Sequence, residues 1–212
     1  MPKPTPRRRT SMLRILLMLS AALLMCPLYA KQPMCSPPPK PSTADVSSAR
    51  LRSDVEALVA LSPRDVNHPA GNHAAALFVR DAFVAAGLAP ELETFTSDGE
   101  EFANVVARVG PKDGPRVVVG AHYDACGARP GADDNASGVA ALLELARLFA
   151  ADPPTGSVEL VAFANEEPPH FGRDSMGSVH HAEKLANEHV DVRAMLCLEM
   201  VGYFDDAPDS QT

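Results

Sequence analysis

The chain has 212 residues, of which 46% are hydrophobic and 22% are charged, so it can bury a globular core. Its formal net charge is −8, and the five basic residues in 1–30, with no acid among them, leave −13 for the rest. An acidic body without a basic patch argues against nucleic acid as a partner. The cysteines lack the paired spacing of a thiolate metal site; they are Cys26, Cys35, Cys126 and Cys197.

Residues 1–30 have the pattern of an export signal. A basic segment precedes an apolar stretch that starts at Leu13, and Ala30 offers a small residue for cleavage. An uncleaved membrane anchor over residues 13–30 is the alternative, although this stretch is short for a spanning helix. We therefore expect an exported protein, periplasmic or secreted, in which a proline-rich linker over residues 31–45 precedes the folded domain.

Helices and a pair of strands are predicted next along the chain. Apolar residues recur at positions i, i+4 and i+7 from Leu51, which is the spacing of an amphipathic helix, and Pro63 ends it. A second helix is predicted over residues 72–86. Two strand-like runs follow, over residues 92–96 and 104–109, and we expect them to form a hairpin or edge strands.

Three further apolar runs have the composition of buried strands, and polar residues follow each of them. The runs and their polar residues are Val117–Ala121 with His122, Asp124 and Asp134, Val158–Ala164 with Glu166 and Glu167, and Ala194–Leu198 with Glu199. Helices predicted over residues 137–151 and 176–188 separate these runs. The order predicts a three-layer α/β fold with a largely parallel central sheet and helices on both faces.

This arrangement predicts a metal site. Parallel strands bring their carboxyl ends to one edge of the sheet, so the carboxylates and the imidazole should gather there. Carboxylates at one edge repel one another unless a cation compensates them. Taken singly, an HxD pair is as consistent with a turn or a cap as with a site. The sequence has no GxSxG and no HExxH motif, which argues against a serine hydrolase and against a zinc helix of the HExxH type.

Four motifs in order, HYD, GADDNASG, FANEE and CLEMVGY, resemble those of metallopeptidase family twenty-eight. This family contains the di-zinc aminopeptidases and related carboxypeptidases, and the resemblance covers roughly residues 45–207. It implies a zinc exopeptidase domain over residues 46–212, with the zinc-peptidase, phosphorylase/hydrolase-like fold. It also implies peptide substrates and two Zn²⁺ ions in a complete domain.

The resemblance also implies a role for each site residue. Four residues would hold two zinc ions: His122 and Glu199 one ion, Asp134 both ions as a bridge, and Glu167 the second ion. Glu166 would be the general base, and Asp124 would orient His122 from the far side of the imidazole. Because Glu166 and Glu167 are adjacent at the end of a strand, we expect their side chains to diverge.

One member of the implied ligand set has no counterpart at the matching place. The resemblance implies a further histidine beyond the strand that carries Glu199, whereas the last histidine of this chain is His189. We therefore expect an incomplete domain that binds one zinc ion tightly and turns over poorly, unless His170, His180 or His181 substitutes. The alternatives are an inactive or non-catalytic fragment of the same fold, and a single-zinc enzyme similar to glutaminyl cyclases. Whether Cys126 and Cys197 pair is left open.

Overall fold

The structure is a computed structural model, and it describes residues 46–207. The predicted export signal and linker, together with Cys26 and Cys35, lie outside the described residues. Within that part of the chain, no helix combines the length and the apolar character that crossing a membrane requires.

Every predicted helix and strand is present, with ends that differ from the predicted ones by a few residues. In chain order they are α1 (Ser48–Ala60), α2 (Pro69–Ala85), β1 (Glu91–Ser97), β2 (Glu100–Val109), β3 (Arg116–His122), α3 (Gly138–Ala151), β4 (Ser157–Phe163), α4 (Gly177–Asn187) and β5 (Val192–Cys197). A π-helical turn, Ala132–Ser137, leads directly into α3. Helix α2 begins three residues earlier than predicted because Pro69, whose φ is already helical, occupies its first turn.

The five strands form one mixed sheet in the order β1-β2-β4-β3-β5. Strand β3 lies between β4 and β5 and is parallel to both, as predicted for the three apolar runs. The predicted three-layer α/β fold is confirmed, and its sheet is mixed because β2 pairs antiparallel with both β1 and β4. The reason is local: Asp98 and Gly99 both have positive φ and close β1 and β2 into a two-residue hairpin, which joins the sheet at β4.

Strands β2, β3 and β4 are covered on both faces. On one face the sheet packs against α2 and α3 through a large apolar cluster that includes Val119 and Leu160, and α1 adds Leu58 to this cluster. On the other face it packs through a smaller cluster that includes Val118, Val161 and Leu185, the last of which belongs to α4. The alternation of neighbouring residues between the two faces is the period of a strand. Apolar packing therefore covers both faces of β3 and β4, and this packing fixes the positions of their carboxyl ends.

A buried ionic cluster anchors α4 to the sheet. His181 Nδ1 lies 3.1 Å from Glu93 Oε1 on β1, and its Nε2 lies 2.9 Å from Glu159 Oε1 on β4. The other oxygen of Glu159 accepts hydrogen bonds from Arg108 at 2.6 Å and from Arg116 at 2.7 Å. This cluster connects α4 with four strands.

Candidate metal centre

His122, the last residue of β3, is the centre of the predicted site. Its imidazole is 2% exposed, and Nε2 lies 3.2 Å from Asp134 Oδ1, 3.5 Å from Glu199 Oε2 and 3.7 Å from Glu166 Oε2. These carboxylates come from three different segments of the chain. The carboxyl ends of β3, β4 and β5 therefore converge on one imidazole nitrogen, as the parallel arrangement requires.

Two overlapping groups of side chains at this edge could each hold a cation. His122, Asp134 and Glu199 form one group, and His122, Glu166 and Glu167 form the other. Within each group the potential ligand atoms lie within 4.8 Å of one another. The structure thus brings all four ligands named from the sequence to the same edge, together with Glu166.

Asp124 contacts two of the converging segments. Its Oδ1 lies 3.3 Å from Nδ1 of His122, on the side of the imidazole away from the cluster. Its carboxylate also accepts hydrogen bonds from the backbone N–H groups of Glu166 at 3.2 Å and Glu167 at 3.0 Å. Asp124 therefore lies beside the far nitrogen of His122 and holds the two glutamates against β3. The contact with the glutamates was not predicted from the sequence.

Asn135 joins the loop before α3 to the segment after β5. Its Nδ2 donates to the carbonyl of Leu198 at 2.8 Å and to Glu199 Oε2 at 3.1 Å, and its Oδ1 accepts from the N–H of Met200 at 3.3 Å. The side chain is fully buried. Gly138 makes the approach possible, because a Cβ there would overlap both Asn135 Oδ1 and the carbonyl of Leu198.

Two neighbours of Asn135 bind the next residues of the same segment. Ser137 Oγ accepts from the N–H of Val201 at 3.0 Å, and Asp133 Oδ1 accepts from the N–H of Gly202 at 2.8 Å. Sequence reasoning gave a role only to Asp134 within the GADDNASG motif and missed these contacts. The signal was the alternation of polar side chains on either side of Asp134: Asp134 faces the cluster, whereas Asp133, Asn135 and Ser137 bind the segment that carries Glu199.

The charges at this edge shift several pKa values. Burial by itself lowers the pKa of His122, but the carboxylates of Asp124 and Glu199 outweigh it and raise that pKa to about 11. Burial, and then the charge of Asp134, raises the pKa of Glu167 to about 7. Burial also raises the pKa of Glu166. The clustered negative charge therefore favours a cation at this edge. In the absence of a metal, protonation of His122 supplies one positive charge there.

The side chains of Glu166 and Glu167 do not diverge as expected. Each offers an oxygen within 4.8 Å of the other and of His122. The expectation assumed an extended strand, in which neighbouring side chains alternate. Strand β4 instead ends at Phe163, and Asn165 has a left-handed φ of 57°, so the chain has already turned before the two glutamates.

The residues present fit a zinc ion. Imidazole and carboxylate are ordinary zinc ligands, and a site that keeps an open position is typical of catalytic zinc. Glu167 Oε1 is buried and has no hydrogen-bond partner within the described part of the chain, which is unusual for a carboxylate unless an ion completes it. None of the three histidines considered as substitutes belongs to either group of ligands among residues 46–207. They make other contacts: His170 with Ser175, His180 with Phe95, and His181 with Glu93 and Glu159.

The two cysteines near the site are not paired. Cys126, two residues after Asp124, is half-buried, and Cys197, at the end of β5, is exposed; both are free thiols. Burial raises the pKa of Cys197, and the charge of Glu199 adds to the effect. The site is therefore built without a disulfide between them.

The sequence is similar to a known protein family and to several curated proteins. Residues 104–212 match the model of peptidase family M28. The chain is 43% identical to the Escherichia coli (strain K12) uncharacterized protein YfbL over 157 residues, which are 70% of this chain and 48% of that protein. It is 29% identical over 192 residues to a probable leucine aminopeptidase of Trichophyton verrucosum, covering 82% of this chain and 49% of the relative. The chain thus spans about half the length of these curated relatives.

The fold of this chain is also similar to that of solved structures. A Zn-dependent exopeptidase from Parabacteroides distasonis matches with a TM-score of 0.60 and 26% identity, over 74% of this chain and 63% of that one. A glutaminyl cyclase from Porphyromonas gingivalis matches with a TM-score of 0.61 and 27% identity, over 74% of this chain and 60% of that one. The same sheet and helices therefore occur in proteins whose names describe two different reactions.

Proposed function

The chain belongs to peptidase family M28, and from the geometry of its site we propose that it is a metal-dependent aminopeptidase. The observation that carries the proposal is the convergence of Asp134, Glu199 and Glu166 on Nε2 of the buried His122. The names of relatives, which include a leucine aminopeptidase and a zinc-dependent exopeptidase, support the same class of reaction. The substrates would be peptides with a free amino terminus.

The residues present can hold zinc as the resemblance implies. His122, Asp134 and Glu199 would hold one ion, and Glu167, which belongs to the second group with His122 and Glu166, would hold the other. Asp124 faces Nδ1 of the imidazole, so a neutral His122 carries its proton on Nδ1 and presents the Nε2 lone pair to the cluster. When bound, zinc would supply Lewis-acid activation of water and of the peptide carbonyl.

Glu166 is proposed as the general base. Its carboxylate faces the cluster at 3.7 Å from His122 Nε2, which is within reach of a water molecule held there. Burial raises its pKa, and a raised pKa suits a carboxylate that must take a proton from water and pass it to the leaving amine. Asp124 holds the backbone of Glu166 in place through a hydrogen bond.

A second candidate function is the cyclisation of amino-terminal glutamine by a single zinc ion. It is favoured by the match to a glutaminyl cyclase and by the absence of a second histidine from either group of ligands among the described residues. We expect hydrolysis instead, because the GADDNASG segment that carries Asp134 resembles the two-metal type. An inactive fragment of the same fold remains the third alternative.

One assay separates these functions. The zinc-loaded protein is incubated with a panel of free and N-acetylated dipeptides and with glutaminyl peptides, and the products are identified by mass spectrometry. The aminopeptidase assignment predicts release of the first residue from free peptides only, at a rate that a chelator abolishes and zinc restores. Cyclised glutaminyl products without hydrolysis would favour the second function, and no conversion of any substrate would favour the third.

We also propose that the enzyme acts after export. The proposal rests on the basic and apolar pattern of residues 1–30, with Ala30 as the cleavage position. Amino-terminal sequencing of the protein from fractionated cells that express it should give a chain beginning at Lys31 in the periplasmic or secreted fraction. A full-length chain in the membrane fraction would indicate the anchor, and a full-length chain in the cytosol would contradict export.

A further inference from the structure

Arg64 lies in the loop between α1 and α2, and it is distant in sequence from every motif of the site. It is fully buried, with 0% of its surface exposed. The guanidinium donates hydrogen bonds to four backbone carbonyls, one of which is the carbonyl of Leu58 in α1, at 3.4 Å from Nη1. Nε binds the carbonyl of Tyr123 at 2.7 Å, and Nη1 and Nη2 bind those of Pro130 at 2.5 Å and Gly131 at 2.6 Å. Nη1 also lies 2.9 Å from Ser62 Oγ in the same loop.

Three of the bonded carbonyls, those of Tyr123, Pro130 and Gly131, belong to the two segments that carry His122 and Asp134. Tyr123 stands between His122 and Asp124, and Gly131 precedes Asp134 by three residues. Gly131 has a left-handed φ of 59°, and a Cβ there would come within 2.6 Å of Arg64 Nη2. The loop before Asp134 is thus shaped to accept the guanidinium, and the guanidinium joins this loop to the end of β3.

The charge of Arg64 is compensated only at a distance. Its hydrogen-bond acceptors among residues 46–207 are backbone carbonyls and the hydroxyl of Ser62, none of which carries a negative charge, and this is costly for a buried cation. Burial lowers the pKa of Arg64, and the negative charges of Asp124, Asp134 and Glu167 act against that effect. The acidic edge and the buried guanidinium therefore stabilise each other.

A purely space-filling role does not account for these contacts. An apolar side chain of similar volume would fill the same place and would bring no buried charge. A planar guanidinium offers five donors in a fixed fork, so it can hold several acceptors at set positions, whereas an ammonium cannot. Arg64 also lies outside residues 104–212, the part of the chain that matches the family model.

We propose that Arg64 is a positioning residue that holds the end of β3 and the loop before Asp134 in the arrangement the metal requires. Through these carbonyls it sets the spacing between His122 and Asp134 before a metal arrives. The inference rests on the proposed function, since it takes the cluster around His122 to be a zinc site. It adds to the site a residue that never touches the metal.

The test measures zinc binding rather than turnover. The dissociation constant for Zn²⁺ is determined by chelator competition for wild type, Arg64→Lys and Arg64→Ala, and the visible spectrum of the Co²⁺-loaded proteins reports the ligand geometry. Loss of a residue that orients metal ligands typically costs about 10–100-fold in metal affinity. We expect a loss of this size in both variants, an altered Co²⁺ spectrum, and partial recovery of Arg64→Ala by millimolar guanidinium.

Arg147→Ala is the matched control. Arg147 pairs with Asp54 and Glu144 between α1 and α3, so its loss should also lower the melting temperature but should leave zinc affinity unchanged. If Arg64→Ala does not fold, the comparison rests on Arg64→Lys, which keeps the charge and loses the fork. Wild-type zinc affinity in folded Arg64→Lys would overturn the role of Arg64, as would an equal loss in Arg147→Ala. Failure of the wild type to bind zinc would instead overturn the proposed function, and the role of Arg64 with it.

Discussion

Glu166 and Glu167 are neighbours in sequence, and both face the same cluster, yet the proposed mechanism gives them different roles. Glu167 has an oxygen buried without a partner among the described residues, as expected for a ligand whose ion completes it. Glu166 lies near His122 Nε2 and is held through its backbone by Asp124. The two residues are therefore matched controls for each other.

Glu166→Gln should keep zinc and lose catalysis. The amide preserves the shape of the side chain but cannot accept a proton, so kcat should fall by roughly 10²–10⁴, the usual scale of general base catalysis. Glu167→Gln should lose zinc instead. Metal analysis and single-substrate kinetics on both variants check this, and the assignment is wrong if Glu166→Gln empties the site or keeps wild-type kcat.

Asn135→Asp tests the contact between the loop before α3 and Glu199. The substituted carboxylate would face the carbonyl of Leu198 and the carboxylate of Glu199, where the amide now donates to both. An unsatisfied buried polar group costs about 1–3 kcal/mol, so both the free energy of unfolding and zinc affinity should fall. Ser137→Ala, which removes the bond from Val201 and the bonds to Asp133 but none to Glu199, should lose stability but retain zinc affinity. Urea unfolding and zinc titration measure the two effects, and unchanged zinc affinity in Asn135→Asp would contradict the role given to Asn135.

At this scale the sequence allowed part of the site to be predicted. The apolar runs predicted that polar side chains gather at one edge of the sheet, where the structure has them. The motif resemblance then implied which of them are ligands: His122, Asp134, Glu167 and Glu199. Asn135 and Arg64 could not be assigned roles, because their partners are backbone atoms 63 and 59 residues away. Backbone acceptors carry no sequence signal, so such contacts become visible only in the folded chain.

At the scale of secondary-structure elements, His181 determines how α4 responds to pH. Burial lowers the pKa of His181, but Glu159 and Glu93 outweigh it and raise that pKa to about 9, above the ordinary value of 6.5. A group whose pKa is higher in the folded state stabilises the fold fully below its unfolded pKa, and the effect is lost as pH rises through the folded pKa. The ion cluster should therefore weaken between pH 6.5 and about 9.

His181→Gln should remove this dependence. The wild-type melting temperature should fall between pH 6.5 and about 9 more steeply than that of the variant, and the variant should be the less stable protein at pH 6. His180→Gln is the matched control, since His180 is the adjacent residue and stacks on Phe95 without joining the cluster. Thermal unfolding of the metal-free proteins across this range measures the effect, and parallel curves for wild type and His181→Gln would refute it.

The elements themselves were largely predictable, whereas their pairing was not. The apolar runs of β3, β4 and β5 indicated parallel neighbours because helices separate them. The position of β2 against β4 could not be derived, since the hairpin could have joined either edge of the parallel strands. The position of β2 becomes visible only in the folded chain, where Val105 and Val106 pack into the apolar clusters on opposite faces of the sheet.

At the scale of the whole molecule, apolar side chains collect at and beyond the β5 edge. Met195 and Leu196 are 48% and 50% exposed, and Val201, Tyr203 and Phe204 are more exposed still. Within the described residues β5 pairs only with β3, so its other edge presents free backbone groups. A long apolar edge of this kind promotes association.

Leu196→Lys should therefore reduce self-association. Wild type should form larger species as its concentration rises, because an apolar edge strand can pair with another chain, and a lysine on that strand opposes such pairing. Leu92→Lys, on the opposite edge strand β1, is the control and should behave as wild type. Light scattering over a concentration series distinguishes them, and a wild type that stays monomeric throughout would contradict the expectation.

The central claim is that the carboxyl edge of β3, β4 and β5 is a zinc site organised around His122. Anomalous diffraction from a crystal of the zinc-loaded protein, recorded on both sides of the zinc absorption edge, locates the metal directly. We expect a peak at about 2.0–2.2 Å from His122 Nε2 and from carboxylate oxygens of Asp134 and Glu199. A zinc peak elsewhere in the molecule, or no peak at this edge, would contradict it.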